Sequence, residues 1–235
     1  MPVNAQYNVA PPDALANRIT LFQRRKMFAK FLALTRIGAR DTILDVGVTS
    51  DRTCEHSNYL EAWYPHTAQI TAAGIDDVSF LSALYPGVVV VRADGRRLPF
   101  ADGTFDFVHS SAVVEHVGSR ENQALFVHEL WRIARKGIFL TTPNRWFPIE
   151  FHTSLPLLHW LPPPVFRRIL LVLEQRFFAE EANLNLLSRR SLAAIAETAG
   201  MPVSELRSVS LLGYPTNLLL VARKQQPEEV VTSAA

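Results

Sequence analysis

A single cysteine, Cys54, stands in the 235 residues, so no internal disulfide can form and a reducing cytoplasm is the expected setting. No uncharged apolar run approaches the roughly 18 residues that a membrane span needs. The opening "MPVNAQYNVAPPDA" has no basic start followed by an apolar core, which argues against a signal peptide. Charge of one sign is scarce too: 24 basic and 22 acidic residues leave +2, too little to argue for a nucleic-acid partner. There is no Gly-x-Ser-x-Gly nucleophile turn and no glycine-rich loop ending in Gly-Lys-Ser/Thr, which sets aside hydrolase and phosphotransferase readings. Cys54, Glu55 and His56 carry metal-capable side chains in succession, but adjacent residues cannot converge on one ion, so no metal is expected.

What remains has the composition of an ordered globular chain, 48% hydrophobic and 20% charged, of a size for one domain over 1–235. Apolar residues at helical spacing, Leu15, Ile19, Phe22, Phe28, Phe31 and Leu32, predict an N-terminal helix over 14–36, capped by Asp13 and covering one edge of the core. Five short apolar or β-branched runs follow: Thr42–Val46, Gln69–Ile75, Val88–Arg92, Phe105–Ser110 and Gly137–Thr142. Helix-like stretches Ser57–Tyr64, Val78–Tyr85 and Ser119–Arg135 separate them, and this alternation implies a parallel sheet covered on both faces. Arg207–Leu212 and Asn217–Arg223, joined by "GYPT", read as a hairpin that closes the sheet with an antiparallel strand. Residues 151–190 interrupt the pattern as a helical insertion or lid, and the polar tail 226–235 is expected to be disordered.

Ligands of open α/β sheets bind beyond the carboxyl ends of the strands, where strand order reverses. There the chain offers Asp45 and Gly47, then Asp76 and Asp77, then Ala93-Asp94-Gly95, then Ser110 and Ser111. Three carboxylates on one rim would repel a pyrophosphate but suit a cationic ligand with a ribose diol and an exocyclic amine. S-adenosylmethionine has those parts and no phosphate. A nicotinamide site would need Gly-x-Gly-x-x-Gly; counting from Gly47 gives Thr49 and Arg52 instead.

"TILDVG", "AAGIDD", "RADGRRLPFADGTFDFVHSSAVVEHV" and "GIFLTTPN", in this order and spacing over roughly 40–145, resemble the class I S-adenosylmethionine-dependent methyltransferases of the type 11 group. The resemblance implies a Rossmann-like, doubly wound sheet of seven strands, the last antiparallel. It implies that Asp45, Gly47, Val48 and Thr49 form the cofactor turn. Asp76, favoured over Asp77, would bind the ribose, Ala93, Asp94 and Gly95 would face adenine, and Ser110, Ser111 and His116 would lie near the methionine end. The chain departs from the family at Thr49 and Asp51, where glycine is common; Thr49, Ser50 or Asp51 could cap the next helix, and Asp51 could meet the ammonium group.

In-line methyl transfer to an oxygen of a small or lipid-linked acceptor is then expected, the alternative being a non-catalytic cofactor-binding module. An acceptor would enter beyond the fourth and fifth strands, near "TTPNRWFPIEFH", where Asn144, Arg145, Glu150 and His152 lie among Trp146, Phe147 and Phe151. His152 is the first candidate for a general base, with Glu150 and His116 behind it. Glu115 reads rather as part of a helix start, His109 as a packed strand histidine, and Arg96 and Arg97 as a solvated edge. The apolar segment 151–178, interrupted by Arg167 and Arg168, is a candidate lid, dimer contact or peripheral membrane contact.

Overall fold

A computed structural model describes residues 15–52, 56–202 and 205–224. The predicted cap Asp13, the tail 226–235, Cys54 and Glu55 lie outside them. Four short strands build the first half of the sheet: β1 (Ile43–Val46), β2 (Ile70–Gly74), β3 (Val89–Arg92) and β4 (Phe105–Ser111). β5 (Ala134–Pro143), β6 (Glu205–Leu211) and β7 (Tyr214–Arg223) complete it in the order β3-β2-β1-β4-β5-β7-β6. The first five strands pair parallel and β7 enters antiparallel between β5 and β6.

Every residue of β1 is buried because the sheet is covered on both sides, which is why its sequence is an apolar run and not an alternation. Successive side chains go to opposite faces. Leu44 packs with Leu130 and Ile133 of α4 (Arg120–Ile133) and with Leu192 of α7 (Arg189–Thr198). Ile43 packs on the other side with Met27 and Phe31 of α1 (Leu15–Thr35). The buried stripe of α1 is Gln23, Met27, Phe31 and Thr35, four residues apart, whereas Phe22 is half exposed. Of the predicted apolar set Phe31 is buried and Phe28 and Leu32 pack against the same core, whereas Phe22 turns out and Gln23 takes a buried place, its side chain and that of Lys26 reaching the Ser210 carbonyl.

The hairpin turns more tightly than "GYPT" suggested. Leu212 and Gly213 are its two central residues, both at positive φ (49° and 87°), the backbone of a type I′ turn. Tyr214, Pro215 and Thr216 already belong to β7, and a register shift after Val209 accommodates Pro215, whose missing N–H argued against a strand.

Two short helices, α2 (Tyr59–Trp63) and α3 (Phe80–Leu84), follow β1 and β2. Between β5 and α7 the insertion folds into a 3-10 turn (Leu158–Trp160), α5 (Pro163–Val172) and α6 (Arg176–Ala179). Its own small core unites Phe166, Leu170, Phe178 and Leu184.

Candidate functional site

Strand order reverses between β1 and β4, and a cavity of about 310 Å3 opens there. That volume lies within the roughly 300–1,000 Å3 usual for small-molecule sites. Gly47, Val48, Thr49, Ala93, Asp94 and Gly95 line one side; Ser111, His116 and His152 line the other.

Two glycines make the first side. Gly47 has φ +97°, which side chains disfavour, and a Cβ there would collide with Val113. A Cβ on Gly95 would meet the Phe126 ring of α4. Thr49 and Asp51, by contrast, are not among the positive-φ residues, so their backbone does not call for glycine. The loop is held another way: the Thr49 N–H donates to Asn58 Oδ1 at 2.9 Å, and Asn58 Nδ2 donates back to the Thr49 carbonyl at 3.0 Å. Asn58 had no signal in the sequence beyond being polar before a helix. Asp51 faces a different cavity, beside Arg52 and His56.

The predicted carboxylates separate into different roles. Asp45 turns beneath the cavity, where Oδ1 accepts from His109 Nδ1 at 2.7 Å. That bond leaves His109 Nε2 to accept from the Tyr59 hydroxyl at 2.9 Å, and the ring stacks on Phe139. Beside Asp45, burial first and the Asp45 charge second push Glu61 well above the usual carboxylate range, so it holds a proton. Ser110 is likewise buried, donating to the Val46 carbonyl. Asp77 Oδ1 accepts from the Ser79 N–H ahead of α3, while Asp76 follows Ile75, itself on the cavity wall.

Asp94 is on the wall, and Arg96 is not the solvated residue expected. Its guanidinium folds back onto both Asp94 oxygens, the shortest contact being 2.6 Å, and this hydrogen bonding holds Asp94 below its ordinary value. The Arg96 backbone N–H adds a fourth contact at 2.9 Å, so a ligand amine that meets Asp94 would share its oxygens with Arg96. Arg24 of α1 also lines the cavity, though nothing in its helical spacing marks it out.

The second side joins residues from three segments. β4 is followed by Ala112, at φ 57°, and a 3-10 turn (Val114–His116) carries Glu115 and His116 inward. His152 arrives from the start of the insertion, and its Nε2 lies 3.1 Å from His116 Nε2. Glu150 fixes His152, accepting from Nδ1 at 2.7 Å and from the backbone N–H of both His152 and Thr153. Burial raises Glu150, but the His152 charge and these donors outweigh it and bring the group to about 2. For His152 burial lowers and the Glu150 charge raises, with a net shift upward. His116 is pushed down to about 3 by burial and by His152.

Glu115 is fully buried, and burial pushes it up to about 7. It does not serve a helix start as expected: Oε2 accepts from the Thr142 hydroxyl of β5 at 2.9 Å, a partner that pairing with β4 brings within reach. Asn144 and Arg145 bind the Pro215 and Leu161 carbonyls and so tie the insertion to the sheet.

Residues 44–141 match the family described as a methyltransferase domain. Over 132 residues the chain is 32% identical to a demethylmenaquinone methyltransferase of Roseiflexus sp. (strain RS-1), covering 53% of this chain and 51% of that protein. The chain thus spans about half the length of this relative. A solved S-adenosylmethionine-dependent methyltransferase from Mesorhizobium loti has the same fold (TM-score 0.58, 14% identity, 83% of this chain and 98% of that one). So does one from Aquifex aeolicus (TM-score 0.55, 15% identity, 90% and 99%). By sequence, residues 44–141, which include the strands that line the cavity, are similar to a methyltransferase domain, and the whole sheet has the fold of solved S-adenosylmethionine-dependent methyltransferases.

Proposed function

We propose that this chain binds S-adenosylmethionine in the 310 Å3 cavity and methylates an oxygen of a small or lipid-linked acceptor presented from the side of the insertion. The observation that carries the reading is the cavity wall at Gly47 and Gly95, where the missing Cβ atoms let Val113 and Phe126 close directly on the backbone, opposite the His116–His152 pair. The donor set fits: Asp76 for the ribose diol, Asp94 for the adenine amine, and Arg24 for the carboxylate of the amino-acid part. Bound there, the cofactor supplies an electrophilic methyl group on a sulfonium leaving group.

The chain's own task is to position the acceptor, exclude water and hold a proton. Glu150 anchors His152 through Nδ1–H, so the proton of an acceptor hydroxyl can be taken at His152 Nε2 and shared with His116 Nε2. The Glu150 carboxylate stabilises the imidazolium so formed. A lipid-linked acceptor is supported by the outer face of the insertion, where Trp160, Val165, Leu171 and Val172 are exposed near Arg168. The relative named for demethylmenaquinone makes a quinone one acceptor to try. No helix among the described residues is long and apolar enough to cross a membrane, so any such contact would be peripheral.

Calorimetry with S-adenosylmethionine and with S-adenosylhomocysteine tests the cofactor and separates an enzyme from a binding module. Asp76→Ala should weaken both by about 1–3 kcal/mol through lost charge-assisted hydrogen bonds. Unchanged affinity removes Asp76 from the site.

A further inference from the structure

Glu115, His116 and His152 each bring one ligand atom to a common point, all within 4.8 Å of one another. We infer that they form a binding site for a divalent first-row transition cation, two imidazole nitrogens and one carboxylate oxygen on the acceptor side of the cofactor cavity. The inference goes beyond the proposed methyl transfer and does not require it.

The tautomers point to a cation. His116 Nδ1 lies 2.6 Å from the Asn183 carbonyl, which can only accept, so Nδ1 carries the hydrogen. His152 Nδ1 donates to the Glu150 carboxylate in the same way. Both Nε2 lone pairs are then turned on each other at 3.1 Å, and something positive must stand between or beside them. A proton taken up at His152 Nε2 would fill that place. A proton between the rings nevertheless leaves Glu115 unexplained: its Oε1 is buried without a hydrogen-bond partner, 3.8 Å from His116 Nε2. A cation within reach of all three atoms satisfies that oxygen and both nitrogens.

Geometry and surroundings agree. Bonds of about 2.0–2.1 Å to one ion at angles between octahedral and tetrahedral place two nitrogens roughly 2.9–3.4 Å apart, a range that includes the observed separation. Each imidazole gives its other N–H to a carbonyl or carboxylate, the outer-shell arrangement usual for histidine ligands. Thr142 holds the remaining Glu115 oxygen at 2.9 Å and so aims Oε1. Two nitrogens among three donors favour zinc, iron(II) or cobalt over magnesium or calcium, which prefer all-oxygen sites. The open coordination positions would face the cavity that His116 and His152 line. In the loaded protein the cation occupies both Nε2 lone pairs, so the proton-accepting role given to His152 above belongs to the metal-free protein.

Cobalt(II) is the probe. Chelator-stripped, untagged protein titrated with Co2+ should bind one ion per chain and develop visible d–d absorption. Glu115→Gln, which keeps the shape of the buried side chain, and His152→Ala should each weaken binding at least tenfold. His66→Ala, on an exposed residue, should not. Absence of stoichiometric binding, or equal binding in all three variants, overturns the site. S-adenosylhomocysteine titrated into the same stripped protein reports on the cofactor reading separately: its binding without cobalt binding rejects the metal site alone, and the reverse rejects the cofactor site alone.

Discussion

The two ends of the sheet treat their carboxylates in opposite ways. At the amino ends of β1, β4 and β5, Asp106 accepts from the Thr42 N–H at 3.0 Å and meets Arg135 at 2.7 Å and Lys136 at 3.0 Å. Burial works against it, but these donors outweigh burial and hold Asp106 at about 2. At the carboxyl ends Glu61 and Glu115 are buried with oxygens lacking hydrogen-bond partners, both are raised, and Ala112 holds an uncommon backbone conformation. One end is satisfied and contributes stability; the other keeps unsatisfied groups and strain where a ligand is to be met. The difference teaches that the carboxyl ends, and not the amino ends, carry the unsatisfied groups that a ligand could meet.

The comparison is broken most severely at His152. His152→Ala should lower kcat by about 10²–10⁴-fold, the usual contribution of a positioned proton acceptor, with cofactor affinity unchanged. An equal loss of S-adenosylhomocysteine binding would instead make His152 a part of the cradle. Next in size, Gly47→Ala combines left-handed backbone with overpacking against Val113 and should cost about 3 kcal/mol in denaturant unfolding, with cofactor binding lost as well. A variant of native stability would mean that the turn has another conformation available.

The amino end should respond in stability only. Asp106→Asn removes the charge that Arg135 and Lys136 face and should cost about 1–3 kcal/mol while cofactor affinity stays constant. Because its folded value is depressed, the Asp106 contribution is present above the ordinary 3.8 and is lost as pH falls toward about 2. Acid unfolding of the variant should therefore lack that part of the wild-type transition. Glu61 has the opposite sign. The folded chain keeps a proton that the unfolded chain releases, so its contribution is greatest below the ordinary carboxylate value and declines as pH rises. Glu61→Gln should leave stability in acid unchanged and raise it slightly at neutral pH, the smallest effect of the series. A drop at neutral pH would show that the carboxylate is needed as an anion.

Much of one wall of the cavity could be read directly. Gly47, Ala93, Asp94 and Gly95 stand at strand ends, and a strand end followed by a tight turn leaves a local signature whatever the rest of the chain does. Asn58 and Arg24 could not be read, because one holds the loop by a reciprocal amide contact across nine residues and the other lies off the apolar stripe of its helix. The opposite wall was legible only as single candidates. His152 and His116 were singled out one at a time, but nothing in their 36-residue separation says that the rings touch.

By itself the sequence determined the alternation of strand and helix, the antiparallel finish and the strand-end glycines, since each depends on side-chain period, turn chemistry or backbone freedom over a few residues. Tertiary structure alone decided which carboxylates face the cavity and which face a partner, because burial and neighbouring charges are set by segments far apart in the chain. Asp45 turned to His109 and Glu115 left with one oxygen unmatched are decisions of that kind.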